Sequence, residues 1–259
     1  MPLDTASKRA DFLALHREGS FLLPTAWDIA GARQLESLGF AAAATSIGSL
    51  AWSLGRGEKD LTLYEVLAHF RQLVGATELP IDGDFGCGFA ADVADLTVNV
   101  RLALDTGIAA LSIHGRSADR DDQAARISAC RHAIDLSGSA VPLVARCDEP
   151  SGGRPIDDVI ADAVACWQAG ASLVCVSACL GTEAIAALVA RAGAGALDVC
   201  MSTGGPTAAQ LGALGVRRIS VGDAFAQSSR MNFDRDARRF IDHGDLAIAR
   251  ARQVLQAAE

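Results

Sequence analysis

The chain has 259 residues, of which 50% are apolar, and a formal net charge of −8. This length fits one large α/β domain with a substantial core, and the acidic balance argues against nucleic acid or a membrane surface as a partner. The sequence begins without the pattern of a secretory signal, and no apolar run could span a bilayer. The seven cysteines lack zinc-type or Cys-x-x-Cys spacing, so we expect reduced, mostly buried thiols in a cytoplasmic protein.

Short apolar strands alternate with amphipathic helices along the chain. An N-terminal helix is predicted within residues 1–20, and helices are predicted over residues 223–259. Strands are predicted at 21–26, 40–45, 109–113, 141–145, 173–176, 197–201 and 218–221, and a further strand leads into the acidic segment 80–88. A helix is expected after each strand, except that residues 47–60 are expected to form a long loop before a helix at 64–74.

This alternation amounts to eight strand–helix units with no Pro/Ser-rich linker between them. Short apolar runs are typical of buried parallel strands, and eight such units predict a closed (β/α)8 TIM barrel. We therefore expect residues 1–259 to form a single α/β barrel domain with a helical C-terminal extension. A doubly wound open sheet is the alternative, but no Gly-x-Gly-x-x-Gly follows the first strand.

Polar side chains cluster where the predicted strands end, while the bodies of the strands are apolar. In a barrel the functional site forms at these carboxyl ends. The residues concerned are Trp27, Asp28, Ser46, Asp82, Asp84, His114, Arg146, Asp148, Ser177, Ser202 and Thr203.

The segment Pro80–Gly88 is the most informative of these strand ends. Asp82 and Asp84 are two residues apart, so their side chains project to the same face of a strand. Adjacent carboxylates repel each other unless a proton or cation lies between them, and hard oxygen ligands suit Mg2+ or Mn2+. The alternative is a strand end with two solvated aspartates followed by a turn.

Several motifs resemble those of the isocitrate lyase/phosphoenolpyruvate mutase superfamily, and they extend over roughly residues 8–232. The motifs are Pro24-Thr25-Ala26-Trp27-Asp28, Thr45-Ser46 leading to Ser53-Leu54-Gly55, Asp82-Gly83-Asp84-Phe85-Gly86-Cys87-Gly88, Val144-Ala145-Arg146 and the segment from Leu214 to Gly222. Their combination in this order is specific to the superfamily but does not define a substrate.

The resemblance implies a (β/α)8 barrel that uses Mg2+, or Mn2+, and cleaves or forms a C–C or P–C bond beside the carbonyl of a small 2-oxo acid. By position, Asp82 would bind the metal directly and Asp84 would bind it through water. Arg146 would hold a carboxylate or phosphonate. The family commonly exchanges its last helix between subunits, which implies a homodimer or homotetramer.

The resemblance also implies residues that hold the substrate. Ser46 would bind the substrate carboxylate together with the backbone amides of Ile47 and Gly48, and Trp27 would form a wall of the pocket. Ser202 belongs to the segment Ser202–Gly205, which could cradle a phosphate or form a plain turn.

The chain departs from the superfamily at the end of the fourth strand. His114 and Gly115 stand where a Glu-Asp pair is usual, and the following segment Arg116–Arg120 lacks the cysteine of the lyases proper. Isocitrate lyase and methylisocitrate lyase activities are therefore not expected. His114 could act as a catalytic base, bind a softer metal, or be a satisfied pocket histidine.

Histidines and a cysteine elsewhere have plainer interpretations. Cys147 alternates with Arg146 along the strand and is expected to pack. His69, His132 and His243 fall in helical segments and are expected at the surface.

Two classes of function remain open. The first is an Mg2+-dependent C–C lyase, or hydrolytic C–C cleaving enzyme, acting on a small 2-oxo or 2-hydroxy carboxylate, with Arg146 and His114 as catalytic candidates. The second is a diverged barrel that binds a small acid without this chemistry. An enzyme that acts on a P–C bond is a third option.

The lysines of the chain provide a first test. There are only two, Lys8 and Lys59, and neither lies on a predicted strand, whereas a Schiff-base enzyme needs a lysine in its active site. We predict that borohydride with a 2-oxo acid leaves the intact mass of the protein unchanged. An adduct on Lys59 would contradict an enolate mechanism assisted by a metal.

Overall fold

Eight short parallel strands form one sheet, as the sequence predicts. The computed structural model describes residues 4–115, 119–147, 155–193 and 195–244. The strands are β1 (Phe21–Leu23), β2 (Ala43–Ala44), β3 (Ile81–Asp84), β4 (Ala110–His114), β5 (Leu143–Arg146), β6 (Leu173–Ser177), β7 (Leu197–Cys200) and β8 (Arg218–Ser220). Their order in the sheet is β1-β8-β7-β6-β5-β4-β3-β2, so the first and last strands of the chain are neighbours.

The sheet curls into a nearly closed barrel. All seven strand pairs are parallel, and an isolated parallel bridge between Thr25 and Ala44 joins β1 to β2 across the remaining gap. The amide of Ala44 donates to the Pro24 carbonyl at 2.8 Å. The first strand is shorter than predicted because Pro24 has no N–H to donate to a neighbouring strand.

Helices alternate with the strands along the chain. In the part of the chain that the structure describes they are α1 (Thr5–Leu15), α2 (Ile29–Ser37), α3 (Ile47–Ser53), α4 (Leu63–Ala76), α5 (Val93–Leu104), α6 (Arg120–Leu136), α7 (Ile156–Gln168), α8 (Gly181–Ala192), α9 (Ala208–Ala213) and α10 (Ala224–His243). Two short 3-10 helices, Glu58–Asp60 and Ala178–Leu180, lie between them. None of the helices in the described ranges has the length and apolar character needed to cross a bilayer.

The prediction of a loop over residues 47–60 is wrong in its first half, where α3 begins directly after β2. Ser46 caps this helix, since its hydroxyl accepts a hydrogen bond from the Ser49 amide at 3.2 Å. Leu50 and Ala51 are buried and hold the helix against the core. Glycine and serine have low helix propensity, so the sequence pattern did not indicate α3. This helix depends on its N-terminal cap and on its packing against the core.

The described residues separate into two units, with the boundary between Gly222 and Asp223. The first contains the barrel. The second contains α10, a helix with several exposed apolar side chains, including Met231, Phe233 and Ile241. Residues 245–259 of the predicted C-terminal helices lie outside the described residues.

His69 corrects one expectation, because it is buried rather than at the surface. It lies on the inner face of α4 with only 6% of its surface exposed, and its Nε2 has no hydrogen-bond partner among the described residues. Burial disfavours the charged imidazolium and lowers the pKa of His69 from 6.5 to about 4.

This burial predicts a pH-dependent stability. The unfolded chain binds a proton on His69 below pH 6.5, whereas the folded chain does so only near pH 4. The stabilisation is therefore complete above the unfolded pKa and is lost as the pH falls toward the folded pKa. When the pH falls from 7 to 5, the free energy of unfolding should decrease in the parent by about 2 kcal/mol more than in the His69→Met variant.

The measurement is urea denaturation of both proteins at several pH values. His132→Met is the matched control, because it makes the same substitution at a histidine that is exposed on α6. Equal pH dependence in the His69→Met variant and the parent would contradict the neutral buried state of His69.

Candidate active site

The alternation of side chains along β3 places two carboxylates inside the barrel. A Cβ added at Gly83 would lie 3.0 Å from the Phe70 ring, so this position faces the surrounding helices. The flanking residues Asp82 and Asp84 therefore face the barrel interior. They are 1% and 7% exposed, respectively. The structure thus brings the two residues together as the spacing predicts.

Asp84 is held by donors from three directions. Its Oδ2 accepts hydrogen bonds from the Ile47 amide at 3.1 Å and from Nη1 of Arg146 at 3.1 Å. Its Oδ1 accepts one from the Gly86 amide at 3.2 Å, and its own amide donates to the Thr45 hydroxyl at 2.8 Å. The start of α3, the end of β5 and the turn after β3 therefore all meet at this carboxylate.

Asp82 lies one step deeper and is bound by groups that the sequence analysis missed. The Ser112 hydroxyl lies 2.8 and 3.0 Å from its two oxygens. Arg218 reaches from β8 through the barrel interior to form an ion pair with Oδ2 of Asp82. The same guanidinium lies beside Asp198 on β7, with Nε 3.2 Å from Asp198 Oδ2.

Asp198 is completely enclosed. Its Oδ2 accepts a hydrogen bond from the Ser220 hydroxyl at 3.2 Å, and burial raises its pKa above the usual range even though Arg218 opposes this shift. A signal for this pair was available in the sequence, because Arg218 and Asp198 are charged residues inside predicted apolar strands. Charged side chains are almost never fully buried without partners.

A small cavity of about 40 Å³ lies between these groups. This is room for about one water molecule or a small ion. Its polar lining comes from Thr25, Thr45, Asp82, Asp84, Ser112, Arg146, Asp198, Arg218 and Ser220.

His114 lies next to this cavity rather than in its lining. It ends β4, is half-buried, and pairs in register with Arg146 on β5. Its amide donates to the Gly86 carbonyl at 2.9 Å, which joins the histidine to the glycine-rich turn after β3. The ring Nδ1 lies 3.1 Å from the Gly115 carbonyl. The predicted convergence of Asp82, His114 and Arg146 at the carboxyl ends of neighbouring strands is thus observed.

Arg126, a residue that the sequence did not suggest, supports the glycine-rich turn after β3. Arg126 on α6 is 2% exposed, and its Nη2 donates to the carbonyls of Cys87 and Ala90. It thereby ties the turn that follows Asp84 to an outer helix.

The other predicted substrate-binding residues occupy different surroundings. Ser46 and Ile47 are buried at the start of α3, next to Asp84. A Cβ at Gly48 would lie 2.8 Å from Oε1 of Glu58, so a carboxylate lies directly over this position. Trp27 is half-buried after β1.

The remaining predicted positions are less informative. Ser202 is half-buried after β7, and its carbonyl accepts a hydrogen bond from the Gly205 amide at 3.1 Å, so the segment Ser202–Gly205 forms a turn. Cys147 packs as expected, with its sulfur 3.7 Å from that of Cys166. Asp148 and the segment 116–118 lie outside the described residues.

The donor set offers a magnesium ion two carboxylates, and water and substrate oxygens would supply its other ligands. Asp82 and Asp84 supply adjacent hard oxygens around a cavity of ionic size. No group of three or more histidine, cysteine, aspartate or glutamate side chains in the described ranges could enclose a metal. Mg2+ is usually held by one or two carboxylates, with water and substrate oxygens completing the shell.

These features define a class of protein: a (β/α)8 barrel with paired carboxylates and an arginine at the carboxyl ends of its strands. The family model for phosphoenolpyruvate phosphomutase matches residues 12–241. The chain therefore belongs to this family, within the phosphoenolpyruvate mutase/isocitrate lyase superfamily. Among curated protein sequences, none is similar enough to count as a match.

Solved structures agree with this assignment. A protein from Burkholderia cenocepacia J2315, provisionally described as a lyase/mutase, is 32% identical, with a TM-score of 0.88, and the match covers 95% of this chain and 92% of that one. A 2,3-dimethylmalate lyase is 19% identical with a TM-score of 0.81, over 92% and 86% of the two chains.

An oxaloacetate acetylhydrolase is 21% identical with a TM-score of 0.79, over 95% and 90% of the two chains. At these lower identities the likeness to the lyase and the hydrolase concerns the fold. The superfamily includes enzymes that cleave C–C bonds by lyase or hydrolase chemistry as well as mutases.

Proposed function

We propose that this protein catalyses C–C bond cleavage, as a lyase or by hydrolysis, in a small 2-oxo or 2-hydroxy carboxylate with the help of Mg2+ or Mn2+. The observation that carries this proposal is the convergence of Asp82, Asp84 and Arg146 around one small cavity at the carboxyl ends of the strands. Two carboxylates that could hold a metal then lie beside an arginine that could bind a substrate carboxylate.

Asp82 and Asp84 would hold the divalent cation. Bound there, it would supply a Lewis acid beside the carbonyl of the substrate. The carboxylate of Asp84 is already oriented by the Ile47 and Gly86 amides, so the protein fixes its direction before a ligand arrives. Such preorganisation avoids a reorganisation cost during the reaction.

Arg146 would bind the carboxylate of the substrate. Its side chain is 25% exposed, so it faces both Asp84 and the mouth of the barrel. A guanidinium binds a carboxylate through two parallel hydrogen bonds, which orients the substrate as well as attracting it. Ser46, the amide of Gly48, Trp27 and Ser202 complete the proposed pocket. The Ile47 amide, which the resemblance gives to the substrate carboxylate, donates to Asp84 instead.

His114 would transfer the proton that the reaction requires. An imidazole can accept or donate a proton near neutral pH, and this one is half-buried beside the turn that follows Asp84. Proton transfer by a side chain positioned in this way typically contributes about 10²- to 10⁴-fold to a rate.

A second candidate is a diverged barrel that binds a small acid without this chemistry. Each of the two aspartates already has an arginine partner, which favours this alternative because the carboxylates do not depend on a metal for neutralisation. Chemistry at a P–C bond is a further alternative that the family description supports.

Calorimetric titration of Mg2+ with and without oxalate tests the proposal. Oxalate presents two adjacent carboxylates, like an enolate of a 2-oxo acid, and should strengthen Mg2+ binding to the parent by chelating the ion. Asp82→Asn should abolish this cooperative effect. Asp92→Asn is the matched control, because Asp92 is an exposed cap of α5 that asparagine can replace.

Substitutions at His114 separate its role from that of the metal ligands. His114→Ala should leave Mg2+ binding within a few-fold of the parent, whereas His114→Glu should tighten it by about 10-fold or more, because it returns an acidic partner for the ion's water. Absence of Mg2+ and Mn2+ binding to the parent under both conditions would reject the lyase proposal and leave the acid-binding barrel.

We also propose that the protein forms a homodimer or homotetramer in the cytoplasm. All seven cysteines lie outside disulfide bonds, which supports a reducing compartment. Phe233 and Phe240 are 75% and 56% exposed, and their spacing of seven residues places them on one face of α10. Such an apolar face favours association with a second copy.

Light scattering coupled to size exclusion measures this assembly. Phe233→Asp should lower the molecular mass toward that of a single chain, because it puts a charge into the apolar contact. Asn232→Asp adds the same charge at a neighbouring polar position and should leave the mass unchanged. A parent protein with the mass of one chain would contradict the proposal.

A further inference from the structure

The floor of the proposed metal site contains a positive charge of its own. Arg218 is 3% exposed and forms an ion pair with Asp82, which is 1% exposed. The two residues lie on β8 and β3, which are not neighbours in the sheet, so this contact crosses the barrel interior. The guanidinium therefore lies close enough to Asp82 to repel a cation bound there.

Asp198 shares this guanidinium with Asp82. Nε of Arg218 is 3.2 Å from Asp198 Oδ2. Within the described residues, Asp198 Oδ1 and the Arg218 atoms Nε and Nη1 lack a hydrogen-bond partner of good geometry. One guanidinium thus lies between two carboxyl groups, hydrogen-bonded to Asp82 and beside Asp198.

Asp84 has a different arginine partner from Asp82. Asp84 pairs with Arg146, whose side chain is 25% exposed. The side chain of Arg218 is 3% exposed, and burial of a charged pair makes its separation costly. The two arginines therefore act on the cavity differently, one near solvent and the other as a buried charge.

We infer that Arg218 is a positioning residue that sets how tightly the site binds a divalent cation, because it competes with that cation for Asp82. This inference rests on the proposed function. A dication that approaches Asp82 meets a carboxylate already partly neutralised and a guanidinium that repels it. The carboxylate of Asp198, which lies beside the same guanidinium, offsets part of this repulsion.

The inference makes opposite predictions for two substitutions. Arg218→Met removes the charge and keeps an unbranched side chain of similar length, so Mn2+ should bind at least about 10-fold more tightly in the presence of oxalate. Asp198→Asn keeps the shape but leaves the arginine to Asp82 alone, so Mn2+ should bind at least about 3-fold more weakly.

The experiment is titration of Mn2+, followed by the electron paramagnetic resonance of the unbound ion, on the full chain with oxalate. Arg217→Met is the matched control: it makes the same substitution at the adjacent residue, whose Nε would lie 3.2 Å from a Cβ at Gly195, away from the cavity. It should leave Mn2+ affinity unchanged. Arg218→Lys keeps the charge and should stay within about 3-fold of the parent.

Thermal unfolding supplies a second readout. Arg218→Met leaves two buried carboxylates without their counterion, so its melting temperature without metal should fall below that of the parent. Mn2+ with oxalate should then raise its melting temperature by more than it raises that of the parent, because tighter binding to the folded state stabilises it more. If Arg218→Met does not fold without metal, folding rescued by Mn2+ supports the inference.

The outcomes distinguish this inference from the proposed function. If the parent binds Mn2+ and Arg218→Met binds it equally, Arg218 is purely structural and the inference fails while the proposed function stands. If the parent does not bind Mn2+ but Arg218→Met does, the inference holds and metal-assisted catalysis by the parent is rejected. Tighter binding to Asp198→Asn would also overturn the inference.

Discussion

The alternation of side chains along β3 is the constraint on which the site depends. On the outer face of this strand a Cβ at position 83 would lie 3.0 Å from the Phe70 ring, a tight contact that glycine avoids, and the alternation directs Asp82 and Asp84 into the barrel. A shift of one residue in register would put both carboxylates against the surrounding helices. An apolar ring thus packs against the outer face of the same strand whose inner face carries the two carboxylates.

The two aspartate–arginine pairs lie at two depths and have different physical properties. The side chains of the Asp82–Arg218 pair are 1% and 3% exposed, whereas those of the Asp84–Arg146 pair are 9% and 25% exposed. Removing one partner of a buried pair leaves an uncompensated charge, while a pair near solvent exchanges partners at small cost. The deeper pair is suited to holding the barrel interior together, and the shallower pair is suited to exchanging a protein partner for a ligand.

The sequence predicts the barrel well because buried parallel strands appear as short apolar runs, separated by helices that end near glycines. It predicts the positions of Asp82, Asp84 and Arg146 at the ends of strands for a related reason, since polar residues stand out at the ends of apolar strands. It fails for His69, although burial of Val66, Phe70 and Leu73 on α4 gives a helical period that includes this position.

The sequence alone could not reveal the partners of Asp82. Arg218 is 136 residues away in the chain, and only the closure of the barrel brings the two together. A charged residue within a predicted apolar strand indicates that a buried partner exists, but it does not identify that partner. The support that Arg126 gives to the turn after β3 is likewise a consequence of tertiary packing, in which a helix returns to the backbone of an earlier loop.

The seam between β1 and β2 has a consequence for motion. Among the described residues, one isolated bridge and the adjacent backbone hydrogen bonds of Ala26 and Ala44 join these strands, while the other strands are paired over two to four residues. Local opening favours regions with few backbone hydrogen bonds, and amide hydrogen exchange detects it. Thr45 and Ile47 follow β2 and form hydrogen bonds with Asp84. Local opening between β1 and β2 would therefore loosen Asp84, whereas Asp82 would stay fixed.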